Sequence, residues 1–243
     1  MTSRRIQAWV FWCGWVLAGA LGMGIGWTTG WLIDTAVAET IADGVAAVTS
    51  SFAIQHIVQR TLNGAVIGAA IGLILGAGQW LVLRCCLRNA GWWVVASAVG
   101  WAAGWALAQT TGRTIAGSLQ QIIDWPRSSS EITALVGMVA GTIIGSAQWP
   151  ILRGKVRTSG WWIVASIIGA ALLWLVASSI SGRLNRTDDP DLLGPAVSWA
   201  IGGAAAGALT GAVAWQLISS TARGAGQFAS SQEQESSPHS SSV

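Results

Sequence analysis

Charge is what this sequence has least of. It carries 13 Lys and Arg and 10 Asp and Glu in 243 residues, or 9% of the chain, where soluble domains carry about 25%. So sparse a supply cannot coat a water-facing surface, and it points to lipid as the solvent. Histidine is nearly missing too. His56 is the one copy outside the C-terminal tail and His239 lies within it, so a histidine-based metal site has no second ligand to use.

The signatures of the common chemistries are absent. The chain has no GxxxxGK[ST] phosphate loop, GxSxG elbow, HExxH pair or doubled CxxC, each of which supplies a defined catalytic or metal geometry. Its many GxxxG matches have no strand before them and lie inside apolar stretches, so they are not dinucleotide fingerprints. No enzyme, cofactor or metal is expected.

Three cysteines, Cys13, Cys85 and Cys86, all fall at or near the end read below as cytoplasmic. Thiols stay reduced there and no disulfide framework is expected. The adjacent Cys85 and Cys86 are read as plain interfacial thiols. Palmitoylation and a soft metal are the alternatives.

Six stretches contain no Asp, Glu, Lys, Arg or His: 9–32, 62–83, 91–109, 132–152, 160–181 and 193–219. A helix needs about 20 apolar residues to cross the ~30 Å hydrocarbon layer, and each stretch meets that length, the third most narrowly. All six are read as spans, which makes the fold class an all-α membrane protein. The first could instead be a secretory signal, with Arg4 and Arg5 ahead of it and Ala36-Val37-Ala38 as a cleavage site. Its apolar run exceeds the ~7–15 residues of a signal core, ends at Asp34, and matches two later spans residue by residue.

Orientation follows from the basic residues near the span ends. One side receives Arg4, Arg5, Arg84, Arg88, Arg153, Lys155, Arg157 and Arg223. The other receives Arg60, Arg113, Arg127, Arg183 and Arg186, together with Asp34, Glu39, Asp43, Asp124, Glu131, Asp188, Asp189 and Asp191. Both termini are therefore expected in the cytoplasm. The net charge of +3 follows from this topology, and no nucleic-acid partner is implied.

What the sequence has in abundance is glycine and tryptophan, 31 and 17 residues, arranged periodically. Gln79-Trp80, Arg84 and Gly91-Trp92-Trp93 return 69 positions later as Gln148-Trp149, Arg153 and Gly160-Trp161-Trp162. Gly68, Gly72 and Gly76 correspond to Gly137, Gly141 and Gly145, and then to Gly203, Gly207 and Gly211. Trp15, Ala18, Gly22 and Trp27 align with Trp93, Ala96, Gly100 and Trp105, and with Trp162, Ala165, Gly169 and Trp174. The third unit has Ala214 where the others have glutamine, with Gln216 two positions on.

The chain thus divides into a cytoplasmic N-terminus (1–8), three two-helix repeats (9–90, 91–159 and 160–222) and a tail (223–243). The plan is pseudo-threefold. The tail has the polar low-complexity composition of a disordered segment. The apolar spacing in the first two outer loops, 35–60 and 111–125, with Ile115, Leu119, Ile122 and Ile123 in the second, predicts short amphipathic helices on the outer surface.

Residues four apart share one face of a helix, so each glycine row forms a groove. Association in lipid depends on close backbone approach, and the rows are read as helix-packing seams. A groove for a pigment, lipid or quinone tail is the alternative. Tryptophans 12, 15, 80, 92, 93, 149, 161, 162 and 215 are expected in an interfacial anchoring belt. Trp27, Trp105 and Trp174 are expected to plug helix interfaces. Gln79 and Gln148 are expected to cap backbone groups or to pair between helices.

The paired motif Gly72–Arg84 with Gly91–Ser97, repeated as Gly141–Arg153 with Gly160–Ser166, resembles a group of uncharacterised multi-span proteins of cyanobacteria and related bacteria. The likeness is strongest over the central repeats and weaker in the first and third units. It implies a polytopic helical protein of the plasma or thylakoid membrane and supplies no site residues. Three hairpins of one orientation are also similar in geometry to the mitochondrial carriers, but the signature prolines and charges of that family are missing.

No ionisable residue lies within a span, and such residues normally mark proton relays and ion paths. The favoured expectation is a non-enzymatic scaffold or assembly protein with the bilayer, a second copy or a larger complex as partner. A passive channel for a small neutral solute, lined by Ser97, Thr142, Ser146, Ser166 and Thr210, is the alternative. A pigment or lipophilic-cofactor binder is the third reading.

Overall fold

The computed structural model describes the backbone of residues 3–87, 90–123, 129–156, 158–184 and 192–236. Side chains are described for 5–87, 90–110, 132–156, 158–184 and 192–221. The described chain is all helical: α1 (Ser3–Val48), α2 (Phe52–Leu83), α3 (Trp92–Ile123), α4 (Ser129–Leu152), α5 (Trp161–Leu184) and α6 (Leu193–Ser236). Five of these are long and apolar enough to cross a membrane, as in an integral multi-pass protein. The described part of α3 falls short of that mark. Its Trp101 and Gly104 stand where α5 has Ala170 and Leu173.

Each helix packs against its two neighbours in sequence, and α6 packs against α1. The result is a closed ring. Among the described residues no two helices face each other across it at close backbone range, so the axis is filled by side chains.

The glycine rows make the seams. A Cβ on Gly68 or Gly72 would strike the carbonyl oxygens of Trp101 or Ser97 in α3, and one on Gly76 would lie 2.8 Å from the Ser97 Cβ. Likewise Gly137 and Gly141 lie against Ala170 and Ser166 of α5, and Gly145 against Ser166. In α6, Gly203 abuts Gly19, while Gly207 and Gly211 meet Val16 and Trp15. Every row therefore faces the next odd-numbered helix: α2 to α3, α4 to α5, and α6 back to α1. The reverse seams use glycines of the odd helices. Gly22, Gly26 and Gly30 of α1 lie against Leu75, Ile71 and Ile67, and Gly100 and Gly104 of α3 against Ile144 and Ala140.

Two short turns of matching form join α2 to α3 and α4 to α5. After α2, the Cys86 and Leu87 amides donate to the Leu83 carbonyl. After α4, those of Lys155 and Val156 donate to Leu152. The second turn passes through Gly154 at φ 82°, a left-handed conformation that glycine adopts without steric cost.

Two expectations change. The segment 35–60 does not lie on the surface as separate short helices. α1 runs unbroken through Asp34 to Val48, turns over 49–51, and returns as α2. No proline interrupts this stretch, and its Ala, Glu, Thr and Val residues give a helix no reason to stop. At 1.5 Å per residue α1 is about 69 Å long, so the α1–α2 hairpin reaches well past the hydrocarbon layer. α6 likewise continues to Ser236, beyond the position where the composition turns polar. The backbone of 111–123 continues α3, while the side chains of Ile115, Leu119, Ile122 and Ile123 lie outside the described residues, as do Arg88, Arg157 and residues 185–191.

Candidate functional site: a tryptophan-capped axis

Trp15, Trp93 and Trp162 come from aligned positions in α1, α3 and α5, and all three are buried, at 0%, 1% and 3% exposure. They meet edge to face at the ring centre, with centroids 6.1, 6.0 and 5.3 Å apart. That offset geometry suits the aromatic quadrupole. Leu83, Leu152 and Leu217 close the core on the side of the two short turns.

This placement corrects the interfacial belt. Of each GWW pair, the first tryptophan faces outward, with Trp92 and Trp161 exposed, and the second turns inward. One residue along a helix is about 100° of rotation, so neighbours at the same depth face opposite environments. Trp9 is exposed in the same band, whereas Trp12, Trp80, Trp149 and Trp215 are half-buried. Arg84 sits over the Trp80 ring and Arg153 over Trp149, with centroid distances of 5.6 and 5.3 Å, so the repeated QW and LR elements meet through cation–π contacts.

Each indole of the triad donates a hydrogen bond across a glycine seam. Trp93 Nε1 donates to Gln79 Oε1 at 2.9 Å, and Trp162 Nε1 to Gln148 Oε1 at 3.0 Å. Trp15 Nε1 donates to Thr210 Oγ1 at 3.1 Å. The two glutamines thus pair between helices. At the α6–α1 seam the acceptor sits one turn earlier, at Thr210, because Ala214 occupies the place the glutamines hold in α2 and α4. No amino-acid motif advertises that substitution; the missing glutamine was its one sequence signal.

A second aromatic layer closes the opposite side of the axis. Trp101, Trp105, Trp174 and Trp199 meet with centroid separations of 5.0 to 6.3 Å, and half-buried Trp27 packs against the apolar cluster that holds them. Trp105 and Trp174 therefore fill the axis itself rather than a single helix interface. Trp101 and Trp199, not singled out in the sequence, complete the layer. The Trp105 indole nitrogen is buried there without an acceptor among the described residues.

Between the layers lies a chamber of about 60 Å³, bordered by Gln79, Gln148, Ser166 and Thr210 among apolar residues of all six helices. The expected channel lining does not converge on it. Ser166 and Thr210 reach the chamber, whereas Ser97 is sealed behind it at 0% exposure, and Thr142 and Ser146 are exposed on the outer face of α4. The buried polar side chains are Gln79, Ser97, Gln148, Ser159, Ser166 and Ser198, so no titratable group lies among the described core residues.

A larger groove of about 640 Å³ opens outward between α3 and α4, walled by Trp92, Val95, Val99, Pro150 and Ile151 with Arg153 and Lys155 at its rim. The cysteines are exposed. Partial burial, and Cys85 beside it, push the Cys86 thiol above its ordinary range.

No known protein family, curated protein or solved structure matches this chain.

Proposed function

We propose that the chain is a non-enzymatic structural protein of the membrane: six spans in three tandem hairpins, both termini cytoplasmic, forming a rigid ring that packs against lipid and against a second copy or a larger complex. The observation that carries this reading is the narrow, tryptophan-filled axis. Two tryptophan layers close it, the triad indoles are hydrogen bonded to the seams, and the described core holds no acid, base or nucleophile arranged for chemistry.

Six spans are supported by the outward faces. Leu17, Leu21, Leu73, Val95, Val99, Met138, Ile168 and Ile201 are exposed apolar residues from all six helices, α3 included. An apolar face on every helix around a closed ring is what lipid on all sides requires. Threefold repetition is supported by the matched triad, the matched turns and the matched direction of the glycine rows. The cytoplasmic termini rest on the distribution of Arg and Lys, and a plasma or thylakoid membrane on the resemblance to cyanobacterial proteins.

The test is purification from the native membrane in mild detergent with the protein and small-molecule content identified, together with flux assays in liposomes. A structural role predicts a stable co-purifying assembly and flux of ions, water and small solutes equal to that of empty liposomes. Measurable flux from the isolated protein overturns it. A coloured preparation would favour the pigment-binding alternative, for which the axial chamber is too small: drug-sized ligands occupy about 300–1,000 Å³.

A further inference from the structure

The three units are not polar equivalents, and the differences meet in the axial chamber. In the second unit the arrangement is complete: Gln148 Oε1 accepts from Trp162, and Gln148 Nε2 donates to Ser97 Oγ at 2.9 Å. The position matching Ser97 is Gly19 in the first unit and Ser166 in the third. The position matching Gln148 is Gln79 in the first unit and Ala214 in the third. The first unit thus keeps the donor and lacks its acceptor, while the third keeps the acceptor and lacks its donor.

Both leftover groups border the same chamber. Gln79 is 7% exposed. Its Oε1 is fixed by the Trp93 indole, which can only donate, so its amide nitrogen is the free end. That nitrogen has no hydrogen-bond partner among the described residues. Ser166 Oγ donates to the Trp162 carbonyl at 2.8 Å, and its lone pairs receive no donor among the described residues. A buried amide left unpaired costs about 1–3 kcal/mol, and a polar cavity above ~10–15 Å³ holds a water.

We propose that the axial chamber is a binding site for a small uncharged hydroxylic guest that accepts from Gln79 Nε2 and donates to Ser166 Oγ, completing across units 1 and 3 the link that Gln148 and Ser97 make within unit 2. Size sets the class. An apolar cavity of about 150 Å³ takes benzene, so ~60 Å³ admits a few waters or a solute of two or three heavy atoms. Charge is excluded because no counter-ion lines the wall. Gly19, Ala170, Gly203, Ala206 and Gly207 leave the space open on the α5–α6–α1 side, where Trp101 fills the α3 side.

The test is a density map of the full chain in nanodiscs at better than about 2 Å, collected after exhaustive dialysis into solute-free buffer and again with methanol as the probe. The expected result is a peak within about 2.7–3.2 Å of both Gln79 Nε2 and Ser166 Oγ. A single-atom peak that survives dialysis identifies water, and an elongated one that appears with methanol identifies the solute class. Ser166→Ala preserves the ring and should reduce the peak at least severalfold. Ala206→Leu should fill the chamber and abolish it. An empty chamber in the parent protein, a Gln79 amide turned to a protein acceptor, or a peak unchanged in both variants overturns the proposal.

Discussion

At the residue scale, glycine has two kinds of position in this ring, and substitution separates them. A side chain on Gly72 would press on backbone atoms, the Ser97 carbonyl and the Ala98 Cα at 2.6 Å, which cannot rotate away. Gly72→Leu is therefore expected to force α2 from α3 and to lower stability by at least ~2 kcal/mol, the scale of overpacking a filled core. Gly44, within α1, has nothing within 4 Å of its would-be Cβ, so Gly44→Ala should raise stability by up to ~1 kcal/mol through helix propensity. Thermal unfolding in detergent, followed by tryptophan fluorescence, reads both; equal effects would refute the distinction. The tryptophan pairs differ in the same way. Trp93→Phe strands the Gln79 oxygen that its indole now satisfies and should cost about 1–3 kcal/mol. Trp92→Phe, on an exposed neighbour, should stay within about 0.5 kcal/mol.

At the element scale, residues 35–48 continue α1 as one helix instead of forming separate short surface helices, and proline tests that directly. Ala38 lies mid-helix in α1, where proline removes a hydrogen bond and clashes with the preceding turn at a cost of about 3 kcal/mol. Ala38→Pro should therefore raise backbone hydrogen exchange over 38–48 and leave the α4–α5 seam unchanged. Exchange at the parent rate would return the segment to a loop. The sequence made helices and glycine faces legible because a spacing of four residues is geometry internal to one helix. It hid which helix each row would meet, since that depends on how the spans are arranged around one another. It also hid the inward turn of Trp15, Trp93 and Trp162. Depth along a helix is read from distance to charged ends, whereas rotation about its axis is ambiguous when both faces are apolar, one toward lipid and one toward the core. Asp34 ends the charge-free run but not the helix, because charge limits a span in lipid and does not by itself stop a helix.

At the scale of the whole molecule, the pairs α2–α3, α4–α5 and α6–α1 are each bound by the glycine row of the even-numbered helix and at least one indole hydrogen bond. Two of these pairs are hairpins closed by short turns, and the third brings the last described helix onto the first. Its packing is of the same kind: Trp12 Nε1 donates to the Ala208 carbonyl at 2.9 Å, and Phe11 lies 5.5 Å from Trp215. The ring should therefore tolerate moving its opening. A permuted chain that links residue 221 to residue 5 through a copy of the 84–91 turn, and begins and ends within the 153–160 turn, keeps every seam and changes only which one lacks a covalent closure. Loop closure costs little for short connections, and exposed turns are where permutation succeeds. The permuted protein is expected to enter the membrane, elute at the parent size and retain the buried-tryptophan emission of the triad. A second permutant opened at residue 72, inside α2, cuts a glycine row and should fail all three measurements. If the two permutants behave alike, the seams are not the units of assembly and the ring is not closed by α6 on α1.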